Sequence, residues 1–161
     1  MDIHFVLMDA FNELGMRKFV LLLMIMVSYP SLAFALDELT EDSINHIAQQ
    51  FIDFHRTEDE TLLQSVMSND VQVTVNQGSS GFGFVLQYDR GEYLDYLKKG
   101  HRSKTRVGTD VSFISSEFLG NREAKIIIRY RSKKLNKYVW MEGLIELING
   151  EPRVISVDEY N

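Results

Sequence analysis

From Arg106 onward, apolar residues recur at every second position, and three turn signals cut this stretch into four. A period of two marks strands with one buried face. Gly120-Asn121 suits a two-residue hairpin turn, Lys133 to Asn136 a four-residue turn, and Asn149-Gly150 is the strongest hairpin signal in the chain. A turn fixes the register of the strands it joins, so the three turns can be checked against one another. The first pairs Val111 with Tyr130 and Phe113 with Ile128. The second pairs Ile128 with Met141 and Tyr130 with Val139. The third pairs Ile145 with Val154 and Met141 with Asp158. One face then collects Val111, Phe113, Ala124, Ile126, Ile128, Tyr130, Val139, Met141, Ile145, Leu147 and Val154. The expectation is a four-stranded antiparallel meander with that face as core.

The other face is mixed. Ile114, Ile127, Trp140, Leu144, Ile155 and Val157 alternate with Arg129, Arg131, Glu142, Glu146, Arg153 and Glu159. A solvated face should read as cleanly polar. Six apolar residues on it, one of them Trp, point to an interface. Arg129 falls opposite Trp140, which suits a cation–π pair. The basic run Arg129, Arg131, Lys133, Lys134 and Lys137 reads as a solvated hairpin tip.

Helices precede the meander. Thr40 is a suitable N-cap, with Glu41 and Asp42 favourable in the first turn. Ile44, Ala48, Phe51 and His55 follow at helical spacing. Thr57-x-x-Glu60 reads as a capping box opening a short second helix, whose apolar face is Leu62, Leu63, Val66 and Met67. Ser68-Asn69-Asp70 ends it, and Val71, Val73 and Val75 read as a strand. Residues 76–83 read as a Gly/Ser-rich pocket rim; the glycine spacing and the lack of a following Lys-Ser/Thr exclude a phosphate loop. Asp89-x-x-Glu92 opens a third helix carrying Tyr93, Leu94, Tyr96 and Leu97, with Gly100 as its stop. The fold class is α+β: three N-terminal helices packed on a curved, mainly antiparallel sheet.

The first 35 residues read as an address. Arg17-Lys18, the apolar run Phe19 to Val27 and Ala33-Phe34-Ala35 have the form of a secretory signal peptide cleaved after Ala35. Pro30 breaks the apolar run well short of the ~20 residues a membrane anchor needs. Asp2, Asp9 and Glu13 do not suit a signal sequence and Met16 is the better start, so residues 1–15 read as untranslated, with an unusually long n-region as the alternative. Removing the leader's three acids and two bases leaves 20 acidic and 15 basic residues over 36–161, a net charge of -5. That region is one domain. The acidic balance argues against a nucleic-acid partner, whose phosphates call for Lys and Arg. The chain has no cysteine, which excludes disulfides, thiolate metal sites and a cysteine nucleophile. The expected location is the periplasm, with the external medium as the alternative.

Phe51-Ile52-Asp53-Phe54, Asp59 and Met67-Ser68-Asn69-Asp70-Val71, in a chain of helix, helix, strand, helix and antiparallel sheet, resemble the nuclear transport factor 2-like superfamily over residues 40–160. The resemblance implies a cystatin-like cone whose helices and curved sheet enclose a pocket, and a homodimer through the open sheet face. Fold alone does not give function. The resemblance does allow an exclusion. Matched without a gap over residues 49–76, ketosteroid isomerase has its oxyanion tyrosine at Phe51 and its general-base aspartate at Val75, and its second acid falls near Leu144. Proton abstraction beside a carbonyl needs a base and an oxyanion donor. Phe, Val and Leu supply neither.

The polar groups left for a pocket are few. Asp158 falls on the core face beside Met141 and near Tyr130, where apolar surroundings would raise its pKa; the plainer reading is a frayed last strand. His55 ends the stripe of the first helix, as a pocket group or as a cation at a helix C-terminus. Tyr93 and Tyr96 suit a pocket mouth or core packing. Ser156 reads as a core hydroxyl and His101 as a loop residue. His46 lies off the His55 stripe, so no His-His metal pair forms. The expected ligand-binding set is His55, Tyr93, Tyr130, Met141 and Asp158, and the expected interface is Ile114, Ile127, Arg129, Trp140, Leu144, Ile155 and Val157. Neither metal nor cofactor is expected. The leading expectation is a non-catalytic protein of the cell envelope that binds a small hydrophobic ligand or serves as an accessory. The alternatives are a lyase or isomerase using Asp158 and His55, and an interaction module acting through the sheet face.

Overall fold

The computed structural model describes residues 37–79, 82–102, 110–133 and 136–161. The expected leader, its cleavage site and the start at Met16 lie outside them, as do Lys134 and the side chain of His101.

Among the described residues, three helices pack against one six-stranded sheet. In chain order they are α1 (Glu41–Thr57), α2 (Glu60–Val66), β1 (Met67–Ser79), β2 (Phe82–Tyr88), α3 (Arg90–Arg102), β3 (Val111–Phe118), β4 (Glu123–Ser132), β5 (Lys137–Ile148) and β6 (Glu151–Tyr160). The strand order is β2-β1-β6-β5-β4-β3, antiparallel throughout except where β1 runs parallel to β6. Among the described residues two helices precede the first strand, in the order helix, helix, strand, helix that the sequence implies, so the helices are not all N-terminal to the sheet. The third follows the β1–β2 hairpin, because residues 76–83 are mostly strand: Asn76 pairs with Val85 and Ser79 with Phe82. Polar and glycine residues at its tip obscure this hairpin in the sequence. β1 also starts at Met67, so Ser68–Asp70 is already extended.

Thr40 caps α1 through a reciprocal box with Ser43, each side chain bonding the other's backbone N–H at 3.2 and 3.1 Å. The buried stripe of α1 runs from Ile44 through Ile47, Ala48 and Phe51 to His55. The helix stops at Glu58, which takes the left-handed conformation at φ 58°. Asp59, not Thr57, caps α2: its carboxylate accepts from the Thr61 N–H at 3.0 Å and the Thr61 hydroxyl at 2.6 Å. Those two bonds hold the Asp59 carboxyl below its ordinary value. The Asp89–Glu92 box forms as the sequence implies, at 2.9 and 3.1 Å. Helix α3 runs two residues past Gly100, to Arg102.

The α2 helix is seven residues long and has no basic residue in its last turn. Two distant arginines supply what it lacks. Arg90 donates to the Gln64 carbonyl at 2.5 Å, and Arg153 donates to the Ser65 carbonyl. Cations on the last carbonyls satisfy orphan acceptors and oppose the helix dipole. They tie α3 and β6 to the end of α2.

The meander matches the expected register over most of its length. Val111–Tyr130, Phe113–Ile128, Ile128–Met141, Tyr130–Val139 and Ile145–Val154 all pair. The first two pairs survive through two compensating departures. The β3–β4 connection is wider than a two-residue turn, with Phe118 opposite Ala124, and a bulge at Ile114 restores the register. Asn149 and Gly150 both have positive φ, 52° and 79°, as a tight hairpin turn requires. The last expected pair fails. A bulge at Ile155 puts Ser156 opposite Leu144 and Glu159, not Asp158, opposite Met141.

Candidate functional site

One extra residue in one strand decides which acid the protein buries. A bulge sets two residues against one, and every side chain beyond it changes face relative to an unbroken strand. Past Ile155, Val157 and Glu159 therefore turn inward. Val157 is fully buried in the core, which removes it from the expected interface. Asp158 is exposed on the outer face opposite Glu142, which removes it from the expected ligand set. Ser156 likewise sits outward, opposite Leu144.

Glu159 takes the place foreseen for Asp158 and is 3% exposed. Tyr93, in the first turn of α3, donates its hydroxyl to one carboxylate oxygen at 2.5 Å. Tyr130, near the end of β4, donates to the other at 3.0 Å. Burying a carboxylate is costly unless hydrogen bonds replace its water, and bonds to an ionised acceptor are the strong kind. His55 packs its ring on Tyr130, centroids 4.3 Å apart, and is 4% exposed. Met141 is buried directly opposite Glu159 in the ladder. The structure thus brings together four of the five expected residues, His55, Tyr93, Tyr130 and Met141, around an acid one position further along. His55 and Asp158 lie on opposite faces of the sheet, so they do not form an acid–base pair.

Two further tyrosines extend the cluster outward. Tyr88 ends β2 and stacks on Tyr96 of α3, with centroids 5.2 Å apart at 23°. Tyr93 lies 6.2 Å from Tyr96 and 6.4 Å from Tyr88. Tyr88 and Tyr96 are half-buried; Tyr93 is buried. Burial and the negative charges of Glu159 and Glu92 push the Tyr88 phenol above its ordinary value of 10.0. The sequence reading assigns no element to residues 84–88 and does not single out Tyr88 as a site residue.

The residues matched to ketosteroid isomerase stay inert. Phe51 and Val75 are buried apolar core, and Leu144 is half-buried on the outer face. Among the described residues, no group of three or more His, Asp or Glu is placed to hold a metal ion.

The outer face keeps its mixed character. Ile127, Arg129, Trp140, Leu144 and Ile155 are half-buried and Ile114 is exposed. The Arg129 guanidinium lies 4.5 Å from the Tyr138 ring centre and 5.8 Å from that of Trp140; Arg131 lies 5.4 Å from Tyr138. An open cleft of about 700 Å³ sits elsewhere, between Arg90 and Arg153. Its guanidiniums already bond the carbonyls that end α2.

No protein-family model matches the chain, and no curated protein matches it in sequence. Solved structures do match in shape. A nuclear transport factor 2-like protein of unknown function from Silicibacter pomeroyi superposes at TM-score 0.58 with 10% identity, over 74% of this chain and 92% of its own. One from Shewanella baltica superposes at 0.57 with 10% identity, over 76% and 96%. A cystatin-like domain of unknown function from Nostoc punctiforme superposes at 0.58 with 11% identity, over 75% and 78%. Identities this low speak for the fold alone: the chain has the nuclear transport factor 2-like, cystatin-like fold.

Proposed function

We propose that the protein is an exported, non-catalytic component of the cell envelope that binds a small, largely hydrophobic molecule. The observation that carries this reading is the buried Glu159 carboxylate, bonded to Tyr93 and Tyr130 beside His55. A core does not need a charge, and replacing buried ionic groups by apolar ones is often neutral or stabilising. Convergent polar groups in an apolar interior are the usual form of a small-molecule site. Binding is favoured over catalysis because the acid–base pair that a lyase or isomerase would use, Asp158 with His55, is split by the sheet. The leader supplies the export part of the reading.

Native mass spectrometry of the protein purified from the periplasmic fraction tests this directly. The expected result is a species with a stoichiometric extra mass that is lost on denaturation. An apo species only, together with no protection of Tyr93 or Tyr130 by a cell extract, would count against it.

A second proposal rests on the outer face. The Arg129–Tyr138–Trp140 stack, with Ile127, Leu144 and Ile155 around it, is an aromatic and arginine-rich patch of the kind that anchors interfaces. We propose that it pairs two copies of the chain. Trp140→Ala is expected to shift sedimentation from dimer to monomer; an unchanged profile would sink the pairing.

A further inference from the structure

We propose that the tyrosine cluster over Glu159, formed by Tyr88, Tyr93 and Tyr96, recognises a small organic cation of the quaternary-ammonium type. The inference rests on the small-molecule reading above and assigns the ligand a charge.

Three features of the cluster point to a cation. The first is the rings themselves. Three tyrosines from two elements gather with centroids 5.2–6.4 Å apart. The face of an aromatic ring carries partial negative charge and attracts cations, most strongly away from water. The second is what lies beneath them. The Tyr93 hydroxyl gives its proton to the Glu159 carboxylate in a 2.5 Å bond. A phenol that donates to an anion is polarised toward phenolate, so its ring face becomes more negative. The third is the field at the outer end. The Tyr88 phenol holds its proton above the ordinary range because it is partly buried and faces the charges of Glu159 and Glu92. The same field repels an anion and gives no advantage to a neutral molecule.

Depth is graded to suit. Tyr88 and Tyr96 are half-buried, Tyr93 and Glu159 are buried, and Glu92 is exposed. The two half-buried rings therefore lie nearer solvent than Tyr93 and the carboxylate. If the cluster served packing alone, the rings would still stack, but charge would not discriminate among ligands of one shape.

That contrast sets the experiment. The full-length protein is titrated with choline chloride and, separately, with 3,3-dimethyl-1-butanol, which has the same shape without the charge. Tyrosine ring signals are followed by NMR. Choline is expected to give a saturable shift at Tyr88, Tyr93 and Tyr96, and the neutral isostere to bind about tenfold more weakly or worse. Tyr96→Leu, at a half-buried rim position, and Glu159→Gln are each expected to weaken choline by about tenfold. Phe118→Leu, exposed at the end of β3, is expected to leave it unchanged. If Glu159→Gln does not fold, Tyr96→Leu decides alone. Equal binding of the two probes would overturn the proposal, as would a choline shift that survives Tyr96→Leu, or no saturable shift up to about 50 mM. A neutral molecule retained in the native mass spectrum with no choline response would overturn the charge assignment and leave the small-molecule reading standing. Loss of both signals would remove both.

Discussion

The β4–β5 ladder pairs ten residues in unbroken succession, from Glu123 opposite Glu146 to Ser132 opposite Lys137. The β5–β6 ladder beside it breaks once, at Ile155. The two ladders share a strand and a core, yet they hold different things. The inner face of the regular ladder packs Ala124, Ile126 and Ile128 against Ile145, Gly143 and Met141. Gly143 is part of that fit: a Cβ there would lie 3.1 Å from Ile126 Cγ1. Beyond the break, the irregular ladder turns an acid inward at Glu159. Regular pairing builds a dry core, and the interruption aims a charged side chain into it. Bulges near functional sites have this use.

The comparison breaks first at its dry half. Ile128 is fully buried between Phe113 and Met141. Ile128→Ala should cost about 2–5 kcal/mol in urea unfolding, as large-to-small changes in a core do. It should leave the tyrosine signals of the polar cluster in place. A loss below ~1 kcal/mol would mean that this ladder is not the packed centre of the domain.

Adjacent acids sharpen the comparison next. Glu159→Gln keeps the shape and removes the charge that holds Tyr93 and Tyr130, and should destabilise by about 1–3 kcal/mol. Asp158→Asn, one residue away and exposed opposite Glu142, should stay within about 0.5 kcal/mol. Equal effects at the two positions would remove the bulge from Ile155.

This pair of residues also shows how far a sequence carries. Turns that set register are local, and Asn149-Gly150 and the Lys133–Asn136 connection placed β4, β5 and the start of β6 correctly. A bulge leaves no such mark. Val154-Ile155-Ser156-Val157 alternates plausibly in either phase, since Ile155 and Val157 are both apolar. Only the fit of β6 between β1 and β5 chooses between them. The first strand had the opposite problem. Val71, Val73 and Val75 are buried and legible, whereas the end of β1 is polar; β2 does alternate, with Phe82, Phe84, Leu86 and Tyr88 at every second position, a period that the glycines and serines before it mask. Tyr88 was lost with it. His55, Tyr93, Tyr130 and Met141 were legible because each sits on a helix stripe or on a strand whose register the turns fixed.

The smallest effect concerns Tyr88, and its sign can be worked out. Its folded-state pKa lies above the ordinary phenol value of 10.0, chiefly through burial and then through the charges of Glu159 and Glu92. A raised phenol pKa means that the folded state holds the proton more tightly than the unfolded chain does. Stability from this group is therefore fully present below pH 10 and is lost as pH rises through the folded value. In a spectrophotometric titration of the tyrosines, one late transition should disappear in Tyr88→Phe. Glu159→Gln removes one of the two charges but leaves burial and Glu92, so that transition should move down only part of the way toward 10.0. Asp158→Asn should not move it. A transition that ignores Glu159 and follows Asp158 would put the wrong acid inside the sheet, and would undo both the bulge and the site built on it.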